Sequence, residues 1–128
     1  MFGFLKKHTV YVRVSKNKMD VRNLNAKKEV SRISTEKFSN DRLIIADFEQ
    51  FEKFLRSLLY AVSETDKFLK PALNMLIQPI DDHIKEVSEV ELRAYKDSAE
   101  HAGGVDIVVY DKQERLTDEQ VIRLFNKS

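Results

Sequence analysis

The hydrophobic pattern of this chain changes period once, and that change limits the folds open to it. In His8-Thr-Val-Tyr-Val-Arg-Val14, the side chains of Val10, Val12 and Val14 fall on one side of an extended backbone, and Tyr11 and Arg13 on the other. Residues 18–24 alternate likewise, with Met19 and Val21 opposite Asp20 and Arg22. The short polar stretch Ser15-Lys16-Asn17 between them reads as a hairpin turn. A weaker third strand is expected over residues 29–34. From residue 48 the spacing becomes helical, through Phe48, Phe51, Leu55, Leu58, Leu59 and Val62. Asp47 stands just ahead, where a carboxylate accepts from the free N–H groups of a first turn.

The second half repeats a strand-helix alternation. Residues 72–78 lie between Pro71 and Pro79, and their length and flanks favour a buried strand. Ser88 with Glu91 forms a capping box, Leu92, Tyr95, Ala99 and Ala102 form an apolar stripe, and Gly103-Gly104 closes the helix. Residues 105–110 read as a strong strand, and Thr117 with Gln120 opens a last helix through Phe125. The expected order is β-β-β-α-β-α-β-α. A meander followed by βαβα units implies an α/β domain with a mixed sheet, partly parallel, and helices on its faces.

Composition narrows the class. A length of 128 residues fits one domain over residues 1–128, and with only three Gly and two Pro no linker or repeat stands out. The absence of cysteine excludes a disulfide framework, a thiol nucleophile and the usual structural zinc sites. No apolar run approaches the roughly 18 residues of a membrane-spanning helix, and the apolar start is shorter than the roughly 7–15 residues of a signal-peptide core. A soluble, cytoplasmic domain is the expectation. The net charge of +1 conceals an asymmetry, because residues 1–37 carry ten basic and three acidic side chains.

Two stretches are more specific than the pattern. Leu43-Ile-Ile-Ala-Asp-Phe48 ahead of the first helix, and Glu91-Leu-Arg-Ala-Tyr-Lys-Asp-Ser-Ala-Glu-His-Ala-Gly103 ahead of the next strand, resemble the corresponding runs of MreB, the bacterial actin homologue of the rod shape-determining family. Gln78-Pro79 stands where that family ends a strand with Val-Pro. The resemblance covers about residues 41–111, and the strands before them more loosely. It implies one ribonuclease-H-like, actin-like subdomain, and with it cell shape, cytoskeleton and the inner membrane surface as the setting.

The departures bear on activity. Actin-like ATPases place an Asp-Leu-Gly-Thr turn between the first two strands, where small residues admit a nucleotide phosphate. Here Val14-Ser-Lys-Asn-Lys-Met19 offers neither that Gly nor that Asp. Lys16 or Lys18 could attract an anion, though solvated turn lysines are far commoner. The family's Glu-Glu-Pro run is replaced by Asp111-Lys112-Gln113. The resemblance therefore implies a degenerate pseudo-ATPase with no catalytic residues, no cofactor and no resident metal.

Other constellations are weaker. Asp81, Asp82 and His83, with Glu86 and Glu89 nearby, have metal-ligand chemistry but no recognised spacing. A solvated loop whose acids complement the following helix dipole accounts for them. Converging carboxylates for a two-metal nuclease are missing, since residues 8–14 contain none and Asp20 stands alone. His8, His83 and His101 lack the partners of nucleophilic catalysis, and His101, in a last helical turn, reads as dipole complementation or packing. Nucleic acid is disfavoured as a partner, because the basic residues are spread over both strand faces and only Tyr11 offers a ring for stacking.

At the start, Phe2, Phe4 and Leu5 followed by Lys6 and Lys7 have the build of a short interfacial membrane anchor, alternatively of a tail that packs on the sheet or stays disordered. The combined expectation is a non-enzymatic binding or scaffold protein whose partner is a protein, either a second copy or an MreB-type filament, with weak peripheral membrane contact. The competing class is a small-molecule or nucleotide-binding regulator using Asp81, Asp82 and Asp111 at the strand ends.

Overall fold

A computed structural model describes residues 7–63, 72–80 and 88–126. The elements run β1 (Lys7–Ser15), β2 (Lys18–Asn23), β3 (Lys28–Ile33), α1 (Phe48–Ala61), β4 (Ala72–Pro79), α2 (Glu89–His101), β5 (Gly104–Val109) and α3 (Asp118–Phe125). The strands form one five-stranded mixed sheet in the order β3-β2-β1-β4-β5. β1, β2 and β3 pair antiparallel, whereas β1 pairs parallel with β4 and β4 parallel with β5. Of the three interior strands, β1 and β4 pair with each other and carry the most buried residues, five each.

Alternation assigns each sheet face its own core. Val10, Val12 and Val14 of β1 join Met19 and Val21 of β2 and Met75 and Ile77 of β4 beneath α1 and α2. On the opposite face, Tyr11 and Leu76 pack with Leu116 and with Val121 of α3. The result is a three-layer arrangement, two helices on one face and one on the other. α1 contributes Phe51, Leu55, Leu58 and Leu59, one stripe at helical spacing. Phe48, which the spacing places on that stripe, is 51% exposed, because it is the first helical residue and stands beyond the core's edge.

The helix ends are chemically defined. Asp47 accepts from the Gln50 N–H, and complete capping boxes join Ser88 with Glu91 and Thr117 with Gln120. The two glycines after α2 have different tasks. Gly103 takes φ +113°, the left-handed conformation that turns the chain out of the helix. Gly104 already belongs to β5, and a Cβ there would lie 3.0 Å from the Ala99 carbonyl oxygen and from Ile107 Cγ1. A strand start at 105 is corrected to 104, where helix and strand approach so closely that a Cβ would make unusually tight contacts.

The segment of residues 34–47 has no regular structure yet contributes to the core. Phe38 is 0% exposed and its ring meets Phe51 edge-on at 5.3 Å, while Ile44 and Ile45 are also buried. Phe51 in turn lies 5.9 Å from the Tyr95 ring of α2, so an aromatic series links the irregular segment to both helices.

Candidate functional site

The three parallel strands end on one side of the sheet, where open α/β sheets usually hold their ligands. Ile80 N–H donates to Val14 O at 2.7 Å, and Tyr110 N–H to Ile77 O at 2.8 Å, which places the residues following β1, β4 and β5 side by side. This carboxyl edge therefore brings together the Lys16-Asn17 turn, the end of β4 and Asp111. Asp81 and Asp82 lie outside the described residues, as do Phe2, Phe4, Leu5 and Lys6. Asp111 is exposed.

The turn at Lys16-Asn17 is engaged by the chain itself. Asn17 adopts φ +57°, and its Oδ1 accepts from the N–H groups of Phe38 at 2.8 Å and Ser39 at 2.9 Å. The Asn17 N–H donates to Ser39 Oγ at 3.0 Å, and Ser34 N–H donates to Asn17 O at 2.8 Å. Lys16 Nζ reaches the Asp41 carbonyl oxygen at 2.7 Å. Asparagine tolerates the left-handed region better than most residues and supplies an acceptor that glycine lacks. The turn thus anchors residues 34–47 over the end of the first hairpin.

A second cluster occupies the opposite sheet face near the same edge. Gln78, 0% exposed, uses its whole amide. Its Oε1 accepts a hydrogen bond from the Tyr11 hydroxyl and a 3.2 Å bond from Arg13 Nε. Its Nε2 donates to the carbonyl oxygens of Lys112 at 2.7 Å and Glu114 at 2.6 Å. Arg13 also donates to Gln113 O at 3.3 Å, Leu116 N–H donates to the Tyr11 hydroxyl at 3.0 Å, and Gln113 Nε2 donates to Pro79 O at 3.3 Å. Tyr11 is therefore not an exposed ring for base stacking. It is 2% exposed, covered by Leu116 and α3, with its hydroxyl both donating and accepting. Sequence reasoning missed Gln78 as a centre. The available signal was an amide directly after the apolar run Met75-Leu-Ile77, in a strand whose partner carries a hydroxyl at Tyr11 and a guanidinium at Arg13.

Ion pairs tie α3 to the antiparallel strands. Arg22 Nε and Nη2 donate to the two carboxylate oxygens of Asp118 at 2.9 and 2.7 Å. Glu29 bridges Arg22 at 3.5 Å and Arg115 at 3.0 Å. The hydrogen bonds from Arg22 hold the Asp118 carboxyl below the usual carboxylate range, and the same bonds raise Arg22. Elsewhere, His101 Nδ1 lies 3.1 Å from Glu52 Oε1, and Arg56 donates to the His101 carbonyl oxygen at 2.6 Å. His101 thus links α2 to α1 in addition to standing at a helix C-terminus.

Remaining features carry less chemistry. Among the described residues no group of three or more His, Asp or Glu is gathered as a metal site requires. A shallow groove of about 430 Å³ along α2 is lined by Leu92 and by Glu89, Arg93, Lys96 and Asp97, charges of both signs on an open surface. No helix among the described residues is long and apolar enough to cross a membrane. No protein-family model and no curated protein matches the chain.

Proposed function

We propose that this chain is a non-enzymatic binding or scaffold protein, built like a single actin-like subdomain of the MreB type and acting with the bacterial cytoskeleton, cell shape or the inner membrane surface. The observation that carries this reading is the first hairpin turn. Where an actin-like ATPase needs bare backbone against a phosphate, Asn17 directs its side chain and backbone at residues 34–39. The strand order β3-β2-β1-β4-β5, with β2 antiparallel to its neighbours, supports the subdomain reading, as does α2 between two parallel strands. The resemblance in residues 91–103 supplies the biological setting. A protein partner, either a second copy or a filament subunit, and weak membrane contact by Phe2, Phe4, Leu5, Lys6 and Lys7 belong to the same proposal.

Thermal melting with and without millimolar Mg-ATP tests the nucleotide aspect, since a ligand that binds only the folded state raises the midpoint by mass action. The expected result is no shift, and a reproducible rise overturns the pseudo-ATPase reading in favour of a nucleotide-binding regulator. Light scattering after size-exclusion chromatography tests self-association. Sedimentation with anionic vesicles, comparing the full chain with one lacking residues 1–7, tests the membrane contact. A strict monomer that does not sediment removes both, and docking to another protein then stands alone.

A further inference from the structure

We propose that Tyr11, Arg13 and Gln78 form a site for a short peptide segment, read through its main chain, and that residues 111–116 fill this site in cis as a detachable strap. The contacts define the ligand class. Gln78 Nε2 donates to two carbonyl oxygens, those of Lys112 and Glu114, Arg13 donates to a third, that of Gln113, and the Tyr11 hydroxyl accepts from the Leu116 N–H. All four engage main-chain groups, so the floor of the site does not select side chains. Selectivity comes from two further contacts, the Leu116 side chain in the apolar layer beside Tyr11 and Leu76, and the Gln113 amide on Pro79 O. The ligand is a peptide with an amide side chain followed three residues later by an aliphatic one.

The strap is built to leave. Residues 111–115 are all exposed and contribute little buried apolar surface; hydrogen bonds that each involve a side chain, and the exposed Arg115–Glu29 ion pair, hold them to the sheet. The floor, by contrast, is rigid: Tyr11 and Gln78 project from the paired central strands and bond to each other. A tethered strap competes with a free peptide at an effective concentration of roughly millimolar, which keeps the site closed to weak ligands.

This inference rests on the binding-protein reading and fails separately from it. The probe is a fluorescein-labelled peptide, Asp-Lys-Gln-Glu-Arg-Leu-Thr, copying residues 111–117, titrated against the full chain by anisotropy. Leu116→Ser should loosen the strap and tighten peptide binding at least tenfold over the wild type, and adding Gln78→Leu should abolish that binding. Equal affinity of the wild type and Leu116→Ser overturns the proposal, as does binding that survives Gln78→Leu. If Leu116→Ser does not fold by circular dichroism, Gln113→Ala opens the strap by removing its bond to Pro79 and is read in the same way. Hydrogen exchange on the wild type gives an independent check. The Leu116 amide should exchange at least a hundredfold faster than the β1 amides, and exchange at one common rate overturns the strap. A chain that oligomerises but ignores the peptide keeps its scaffold role and loses this site.

Discussion

Gln78 is an amide among apolar neighbours on a central strand, a position that a hydrophobic residue would normally hold. Its burial is tolerated because both ends of the amide are bonded, to Tyr11 and Arg13 on one side and to two carbonyl oxygens on the other. Replacing it by leucine strands the Arg13 and Tyr11 partners and frees two carbonyls. The expected loss is about 1–3 kcal/mol, limited because the strap can turn its carbonyls to water. Urea unfolding of Gln78→Leu checks this, and an unchanged midpoint removes Gln78 from its central place. Asp118 is a residue of a different kind, 47% exposed at its side chain and held by a two-pronged contact with Arg22. Asp118→Asn should cost about 1 kcal/mol or less at neutral pH, since solvent screens so open a pair. Its folded carboxyl ionises at lower pH than an unfolded one, so the stabilisation is complete above pH ~4 and disappears as pH falls through the lowered value. The midpoints of wild type and Asp118→Asn should therefore converge on acidification below pH ~4, and a gap that persists there contradicts the assignment.

At the scale of elements, the turn at Lys16-Asn17 and the irregular segment it holds form one unit. Asn17→Gly preserves the left-handed backbone but removes both side-chain bonds to residues 38 and 39, whereas Asn17→Ala also strains φ. Stability should fall in the order wild type, Asn17→Gly, Asn17→Ala, with the glycine variant about 1–2 kcal/mol down. Equal stability of wild type and Asn17→Gly would falsify the anchoring role. The α2-β5 junction gives a sharper case. Gly104→Ala places a methyl 3.0 Å from a helix carbonyl oxygen and from Ile107, tight enough that its neighbours must give by a few tenths of an ångström, at a cost of roughly 1–3 kcal/mol. Thermal melts of Gly104→Ala beside Gly103→Ala distinguish packing from backbone strain, because only the first lacks space and only the second has positive φ. The edges differ as well. β3 carries Lys28, Glu29 and Arg32, charges that discourage further strand pairing, while β5 opens in a register shift against β4.

Over the whole molecule, two sheet faces with different coverings explain why one end of the sheet is so heavily engaged. α1 and α2 cover the first face with a continuous apolar core, and the short α3 covers only part of the second. What α3 leaves uncovered near the carboxyl edge is occupied by polar side chains and the strap, while the first hairpin turn is occupied by residues 34–39. Mg-ATP should accordingly leave the melting midpoint unmoved, and peptide binding should respond to strap variants without altering the fold.

Much of this architecture was legible in the residues themselves. Strict alternation fixes which side chains of β1 and β2 share a face, and 3.6-residue spacing fixes the buried stripe of α1, because both follow from backbone geometry within a few residues. The capping boxes at Ser88 and Thr117 are equally local. Other features depend on neighbours distant in sequence. Phe38 is a core residue in a segment without period, Tyr11 is covered by a loop more than a hundred residues away, and Gly104 is small because α2 returns over β5. Gln78 meets residues 11, 13, 112 and 114 only after the parallel sheet has formed. Local sequence therefore determined the strands, the helices and their apolar faces. The tertiary structure alone decided which polar groups meet, because hydrogen-bond partners are set by proximity in space and leave no periodic trace along the chain.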